Sequence, residues 1–459
     1  MRRPPHRPAF RAGCTRRAAM AFGLSAAALT ATPWAASRAL AQQSPLEITI
    51  AGGEFRPIPF AVGGIFGADA DTQIVADEVR DIVESDLTNS GLFANRRAAS
   101  PQQLGGFDAR PNFEAWRGAG VEALALGDVR GETDGRLRVR FRLYDTASGD
   151  QVEGFQFLID PAARRRAGHK VADAIYTALT GESGYFDSRI VFVDETGGKG
   201  DRVKRLALMD QDGANLRTLT SGKDLVLTPR FSPVEQTILY ISYASGEPQV
   251  YLYNLDTGQR EVLGRFPGMT FAPRFSPDGR QVVMSLAQDG NTDIYLVDLA
   301  TRQMRRLTRG PAIDTAPSFS PDGAQIAFES DRGGGQQIYV MSASGGEATA
   351  QRISYGSGRY STPVWSPRGD LIAFTRIASG QFQVGVMGVD GSGERLLDAT
   401  FHSEGPAWAP NGRVLTFFRE TPGQSGSPSI WSVDVTGLNL RRLPTPNAAS
   451  DPAWSPLLP

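Results

Sequence analysis

The sequence predicts a mixed α/β N-terminal domain followed by an all-β six-bladed propeller that its own C-terminal strand closes. Three observations carry this reading. First, a phrase of proline, any residue, an aromatic and usually Ser-Pro, often with a following Gly turn, recurs six times. It reads PRFSP at Pro229, PRFSPDG at Pro273, PSFSPDG at Pro317, PVWSPRG at Pro363, PAWAPNG at Pro406 and PAWSP at Pro452. Second, the copies lie 44, 44, 46, 43 and 46 residues apart, a period that marks a repeat architecture. Third, ahead of residue 185 the hydrophobic pattern changes to a mixture of helical and strand periods.

Each repeat reads as four strands. The proline phrase opens the first strand, since proline cannot donate to a ladder and suits a strand start. Asp278-Gly279, Asp322-Gly323 and Asn411-Gly412 suit two-residue hairpins with both central residues at positive φ. Runs such as QIAFES (325–330) and LIAFTR (371–376) give the second strand, and DIYLVD (293–298) and QIYVMS (337–342) the third. Short runs around Arg306-Leu307-Thr308 and Arg352-Ile353-Ser354 give the fourth. Strands 189–194, 204–210 and 216–220 lack a first partner, and the phrase at Pro452 has no strands after it. Joining the two completes six blades over residues 185–459 and removes an open sheet edge.

Residues 1–41 hold seven arginines, no acidic residue, a small-residue apolar run at 18–32 and an Ala39-Leu40-Ala41 end. This is the pattern of a cleaved signal peptide, with cleavage expected after Ala41, and the run is too short for a stable membrane span. Arg16-Arg17 leaves both the Sec and the twin-arginine routes open. The remaining chain has 41 basic and 49 acidic residues, a poor balance for contacting nucleic-acid phosphates. The single cysteine, Cys14, precedes the apolar run, so neither lipidation nor a disulfide is expected in the exported protein.

Residues 55–184 form the α/β domain. A helix over 70–87 places Ile74, Val75, Val79, Ile82 and Leu87 on one stripe, and Asn89-Ser90-Gly91 stops it. Strands follow at 121–129, at RLRVRFRLYD (136–145) with its period-two alternation, and at GFQFLID (154–160). A last helix over 161–180 buries Val171, Ile175 and Leu179, starts at Pro161 and ends at Gly181. Arg164-Arg165-Arg166 reads as a solvated end and His169 as a partly exposed helix histidine. Residues 42–54 form a separate polar-to-β segment suited to docking or to adding a strand to a partner.

The residues offer no catalytic constellation. There is no G-x-S-x-G elbow, no thiol after residue 41 and no His/Cys set at zinc spacing, so no cofactor or metal is expected. Asp69-x-Asp71 and Asp210-x-Asp212-Gly213 resemble calcium-loop fragments without the closing Glu, and read as a helix start and a hairpin turn. A carboxylate pair across the channel, as in a glycosidase, stays open. What the repeats do provide is a ring of loops entering the first strands, rich in aromatic, hydroxyl and acidic side chains, which is the make-up of a recognition surface.

The blade phrases, the junction RRRAGHKVADAIYTALTGESGYFDSRIVFV (164–193), RLRVRFRLYD and RPIPFAV (56–62) together closely resemble the TolB family of the Tol-Pal system, over essentially all of the exported chain. The resemblance implies a non-enzymatic periplasmic adaptor, a monomer outside its complexes. It implies docking of the lipoprotein Pal on the face opposite the α/β domain, here by Met269, Thr270, Ala272, Asp314, Thr315 and His402. It implies binding of inner-membrane TolA by residues 42–50, here Gln42, Leu46, Glu47, Ile48, Thr49 and Ile50. The role implied is outer-membrane integrity and invagination at division. The alternative is the sensor or substrate-gating propeller of a periplasmic hydrolase complex.

Overall fold

The computed structural model describes residues 56–97, 105–266 and 268–459. The expected segment 42–50 lies outside them.

A five-stranded sheet forms the first domain. β1 (Ile58–Gly67) lies between β2 (Phe93–Asn95) and β3 (Ala123–Gly131), parallel to both, and β4 (Leu137–Asp145) and β5 (Gln151–Ile159) continue antiparallel from β3. Parallel neighbours require crossovers, and α1 (Ala70–Asn89) supplies the one between β1 and β2. Asp69 caps α1 by accepting from the Thr72 amide at 2.8 Å while Thr72 Oγ1 accepts from the Asp69 amide at 3.0 Å. On β4, Leu137, Val139, Phe141 and Leu143 are buried in alternation with three arginines. Their face is covered by α1 and α3 (Arg164–Thr180), and the opposite face by Trp116 of the short α2 (Phe113–Gly118).

Six four-stranded sheets follow, each in sequential order except the first. In that blade the strand Ala448–Trp454 lies innermost and pairs antiparallel with Arg189–Thr196, as the repeat count requires. The core of the α/β domain does not stop at the junction. Val79, Val83, Val171 and Ile175 belong to one buried cluster with Phe192, Met209 and Trp454 of the propeller. Tyr185 packs edge-on against both Tyr176 of α3 and Trp454, and Trp454 Nε1 donates to Ser188 Oγ at 2.7 Å. The domain rests on the Ser-Pro side of the blades, where Asn411 Nδ2 donates to the Ser183 carbonyl at 3.1 Å and Arg413 pairs with Glu182 at 3.2 Å.

Five local expectations are corrected. Ile74 is exposed, and α1 instead buries Ala76, Val79, Ile82, Val83 and Leu87. The stripe 76-79-83-87 keeps the helical period, whereas Ile74 sits about 200° from Ala76. The proline of each phrase lies inside its strand, as Pro273 does within Met269–Phe275, because the innermost strand bulges there and has a free edge. The phrase turns are also different. Only the glycine is at positive φ, and Ser276 and Gln281 close a four-residue loop in which Pro277 fixes a type I turn. Arg164-Arg165-Arg166 is no solvated end: Arg164 pairs with Glu78 at 2.6 Å, Arg165 with Asp212 at 2.5 Å and Arg166 with Asp187 at 2.9 Å. Finally, His169 is buried, for reasons given below.

Deleting residues 447–459 would leave the strand Arg189–Thr196 with an open edge and empty the Trp454 pocket. Loss of the cooperative thermal transition, with aggregation on size-exclusion chromatography, is expected; a deletion variant that melts like the intact protein would refute the closure.

Candidate functional site

The face opposite the α/β domain is built where the chain enters each innermost strand. Residues four positions before the phrase proline occupy equivalent places, and in three consecutive blades these are Leu225, Met269 and Ile313. All three are exposed, Met269 and Ile313 by half of their surface, and Phe401 and Tyr355 stand exposed on loops entering later blades. Apolar side chains gathered on a rim whose scaffold is rigid mark a surface suited to protein contact. Positional equivalence within the repeat is the signal that would have singled out Leu225 and Ile313 from sequence.

The residues expected on this face are not all presented alike. Met269 projects outward. Thr270 and Asp314 are buried, and Asp314 is held through both its oxygens by Arg332 Nη2 at 3.0 Å, with that guanidinium over the rings of Phe328 and Tyr339. Thr315 is half-buried and pairs across the strands with Glu329, whose carboxyl burial pushes up to about 7. Ala272 faces the channel. His402 is half-buried, its Nε2 donating to Glu404 Oε2 at 2.8 Å and its ring tilted against that of Phe382 at 4.4 Å. The Glu404 hydrogen bond raises its pKa against the pull of partial burial. Met269 and His402 are therefore accessible, and Asp314 acts by positioning the loop.

The channel has its own regular geometry. The residue before each phrase proline is left-handed in all six blades: φ is 46° at Thr228, 50° at Ala272, 51° at Ala316, 48° at Thr362, 69° at Gly405 and 50° at Asp451. Each falls at a register shift in the innermost strand, so six bulges line one cavity. Five of the six are not glycine, so the same local backbone strain recurs at each bulge. Nothing in the proline phrase signals it, since the residue before proline is ordinarily extended.

A third cluster lies at the domain junction. His169 Nδ1 bonds Asp86 Oδ2 at 2.6 Å, and Gln211 of the propeller donates to the other oxygen of Asp86 at 2.7 Å. Asp210 and Asp212, on a hairpin turn as expected, bring carboxylate oxygens within 4.8 Å of a His169 ring nitrogen. This is a possible donor set for a metal by composition alone. Arg165 already pairs with Asp212, and burial that would lower the His169 pKa is outweighed by Asp86, leaving it raised to about 9. Two cations of the chain itself thus occupy the acidic site, and the residues do not fit a metal ion.

A six-bladed propeller with an α/β domain fused to one face, and an apolar-studded rim on the other, is the class these features define. The family profile for the TolB beta propeller domain matches residues 176–458, and that for the TolB amino-terminal domain matches residues 46–152. The chain belongs to the TolB family. The crystal structure of TolB from Acinetobacter baumannii is similar at 29% identity and a TM-score of 0.75, covering 87% of this chain and 97% of that one. A candidate TolB from Agrobacterium tumefaciens overlaps 57% of this chain and 90% of that one at 21% identity and a TM-score of 0.46, too distant to add to the assignment. Among the described residues no helix is long and apolar enough to cross a membrane.

Because the His169 pKa rises on folding from 6.5 to about 9, its contribution is complete below about pH 6.5 and disappears as pH climbs through 9. That contribution is on the order of 3 kcal/mol at most. Melting curves between pH 6.5 and 9 should fall in Tm for the native protein and be markedly flatter for His169→Gln; equal slopes would refute the role.

Proposed function

We propose that this chain is a periplasmic adaptor of the Tol-Pal system, joining inner-membrane TolA to the lipoprotein Pal without catalysing a reaction. Membership of the TolB family over both domains supports this reading. The observation that carries it at the level of residues is the exposed apolar rung Leu225, Met269 and Ile313, opposite the domain that the junction holds fixed. In this reading Pal docks on the rim, with Met269 and His402 in contact, Ala272 at the channel mouth, and Thr270, Asp314 and Thr315 shaping the loops. The segment 42–54 takes TolA, through Gln42, Leu46, Glu47, Ile48, Thr49 and Ile50. An inert rim suits the role, because a coupling protein needs rigid, separately addressed surfaces rather than a reactive cleft. Coupling the two membranes in this way serves outer-membrane integrity and constriction at division.

Binding partners measured with purified components test the assignment. Replacing Met269 and Ile313 together by Glu should weaken Pal roughly ten- to hundred-fold, the 1–3 kcal/mol scale of an interface centre, with the thermal transition unchanged. Undiminished affinity would place the contact elsewhere. Removing residues 42–50 should abolish TolA binding and spare Pal; loss of both would refute separate surfaces. Recovery of a peptidase instead of the lipoprotein from envelope extract would favour a hydrolase complex and overturn the adaptor reading.

A further inference from the structure

One residue after each phrase proline, the chain faces the channel axis again, where the six blades contribute Arg230, Arg274, Ser318, Val364, Ala407 and Ala453. Two adjacent blades therefore set guanidinium groups into one cavity of about 340 Å³, facing small or apolar side chains across the axis. The same two arginines also line the neighbouring cavity of about 180 Å³ bounded by the six left-handed residues. Each guanidinium carries five donors and no acceptor, and each is permanently charged. Arg230 spends one donor on the Pro229 carbonyl at 2.7 Å. Arg274 makes no hydrogen bond to a side chain or carbonyl among the described residues, and its half-buried guanidinium is left open to the channel. The charges around them do not balance either. Asp451 attends Arg230, whereas Arg274 has only its burial and the like charge of Arg230 acting on it. Glu404, the other carboxylate at this cavity, is engaged by His402.

Like charges side by side in a half-buried channel repel each other, and a counter-charge between them relieves that repulsion. Neither arginine is needed for the blade to form, because Ser318, Val364, Ala407 and Ala453 stand at the same place in four other blades. The planar donor forks of two guanidiniums match the geometry of an oxyanion. We propose that Arg230 and Arg274 form a binding site, inside the propeller channel, for a small free oxyanion of the phosphate, sulfate or carboxylate class. The ligand sits between the two guanidiniums, facing Val364 and Ala407 across the axis.

Thermal melts of the purified protein, titrated with inorganic phosphate or sulfate against chloride at matched ionic strength, test this. A saturable rise of a few degrees in Tm is expected for the oxyanions alone, as for any ligand that binds only the folded state. Arg274→Ser, which copies the residue at Ser318, should abolish the saturable rise while melting no lower than the native protein in anion-free buffer. Arg274→Lys, which keeps the charge and loses the fork, should retain a weaker rise with a half-saturation concentration shifted upward at least several-fold. Phosphate and sulfate also stabilise proteins generally by exclusion from the surface, an effect that does not saturate. A rise that fails to saturate, that chloride reproduces, or that survives in the Arg230→Ala, Arg274→Ser double variant would overturn the site.

Discussion

The strand Ala448–Trp454 bears two constraints at once. It supplies the innermost strand of the first blade, so the ring has no unpaired edge, and its aromatic end enters the core shared with the α/β domain. The following residues continue the connection: the Leu458 amide donates to the Asp187 carbonyl at 2.8 Å, and Arg166 Nη2 to the Pro459 carbonyl at 2.7 Å. Ring closure and domain docking are therefore one structural event. The arginines of α3 complete it by reaching across to Asp187 and Asp212, and His169 by holding Asp86 against Gln211. Buried polar groups linked in this way depend on one another's partners, which makes the junction specific, while His169 Nε2 and Arg165 Nε are left without a hydrogen-bond partner among the described residues.

That rigidity divides the molecule into two unlike ends. On the Ser-Pro side, side chains are consumed by contact with the α/β domain. On the other side the rim keeps Met269, Ile313 and Phe401 in solvent, although its loops are anchored by buried pairs such as Asp314 with Arg332. The cost of ordering a recognition loop is thereby met during folding instead of at the moment of binding.

Much of the architecture was legible because it repeats. The spacing of Pro229, Pro273, Pro317, Pro363, Pro406 and Pro452 counts the blades, and the strand inventory assigns the closing strand, since both depend on local pattern and simple arithmetic. The alternation of β4, the start and stop of α1 and the Gly181 stop of α3 were legible from local pattern too, whereas Pro161 opens a short 3-10 turn ahead of α3. What escaped depends on partners far away in sequence. His169 and Arg165 look like ordinary helix-surface residues until the turn at Asp210 to Asp212 is brought against them. Ile74 stands one residue from Val75 and five from Val79, off the three- and four-residue spacing of a helix face, and the sheet selects the face containing Ala76 and Val83. The left-handed residues before the prolines run against local preference and coincide with the bulge of each innermost strand, which depends on its pairing partner. On the rim, the family resemblance pointed by loop position to Asp314 and Thr270, both of which are buried, whereas the aliphatic Ile313 next to Asp314 is exposed.

The pairing of Ser455 with Arg189 spans 266 positions along the chain. Contacts so remote form late, because a long loop must first be closed. Blades two to six can each fold from neighbouring hairpins as they are synthesised, but the first blade has to wait for the far end to emerge. Until then the chain carries an incomplete sheet beside an exposed aromatic pocket, the state that chaperones recognise. The topology thus delays full compaction of the first blade until the last residues of the chain are available to it.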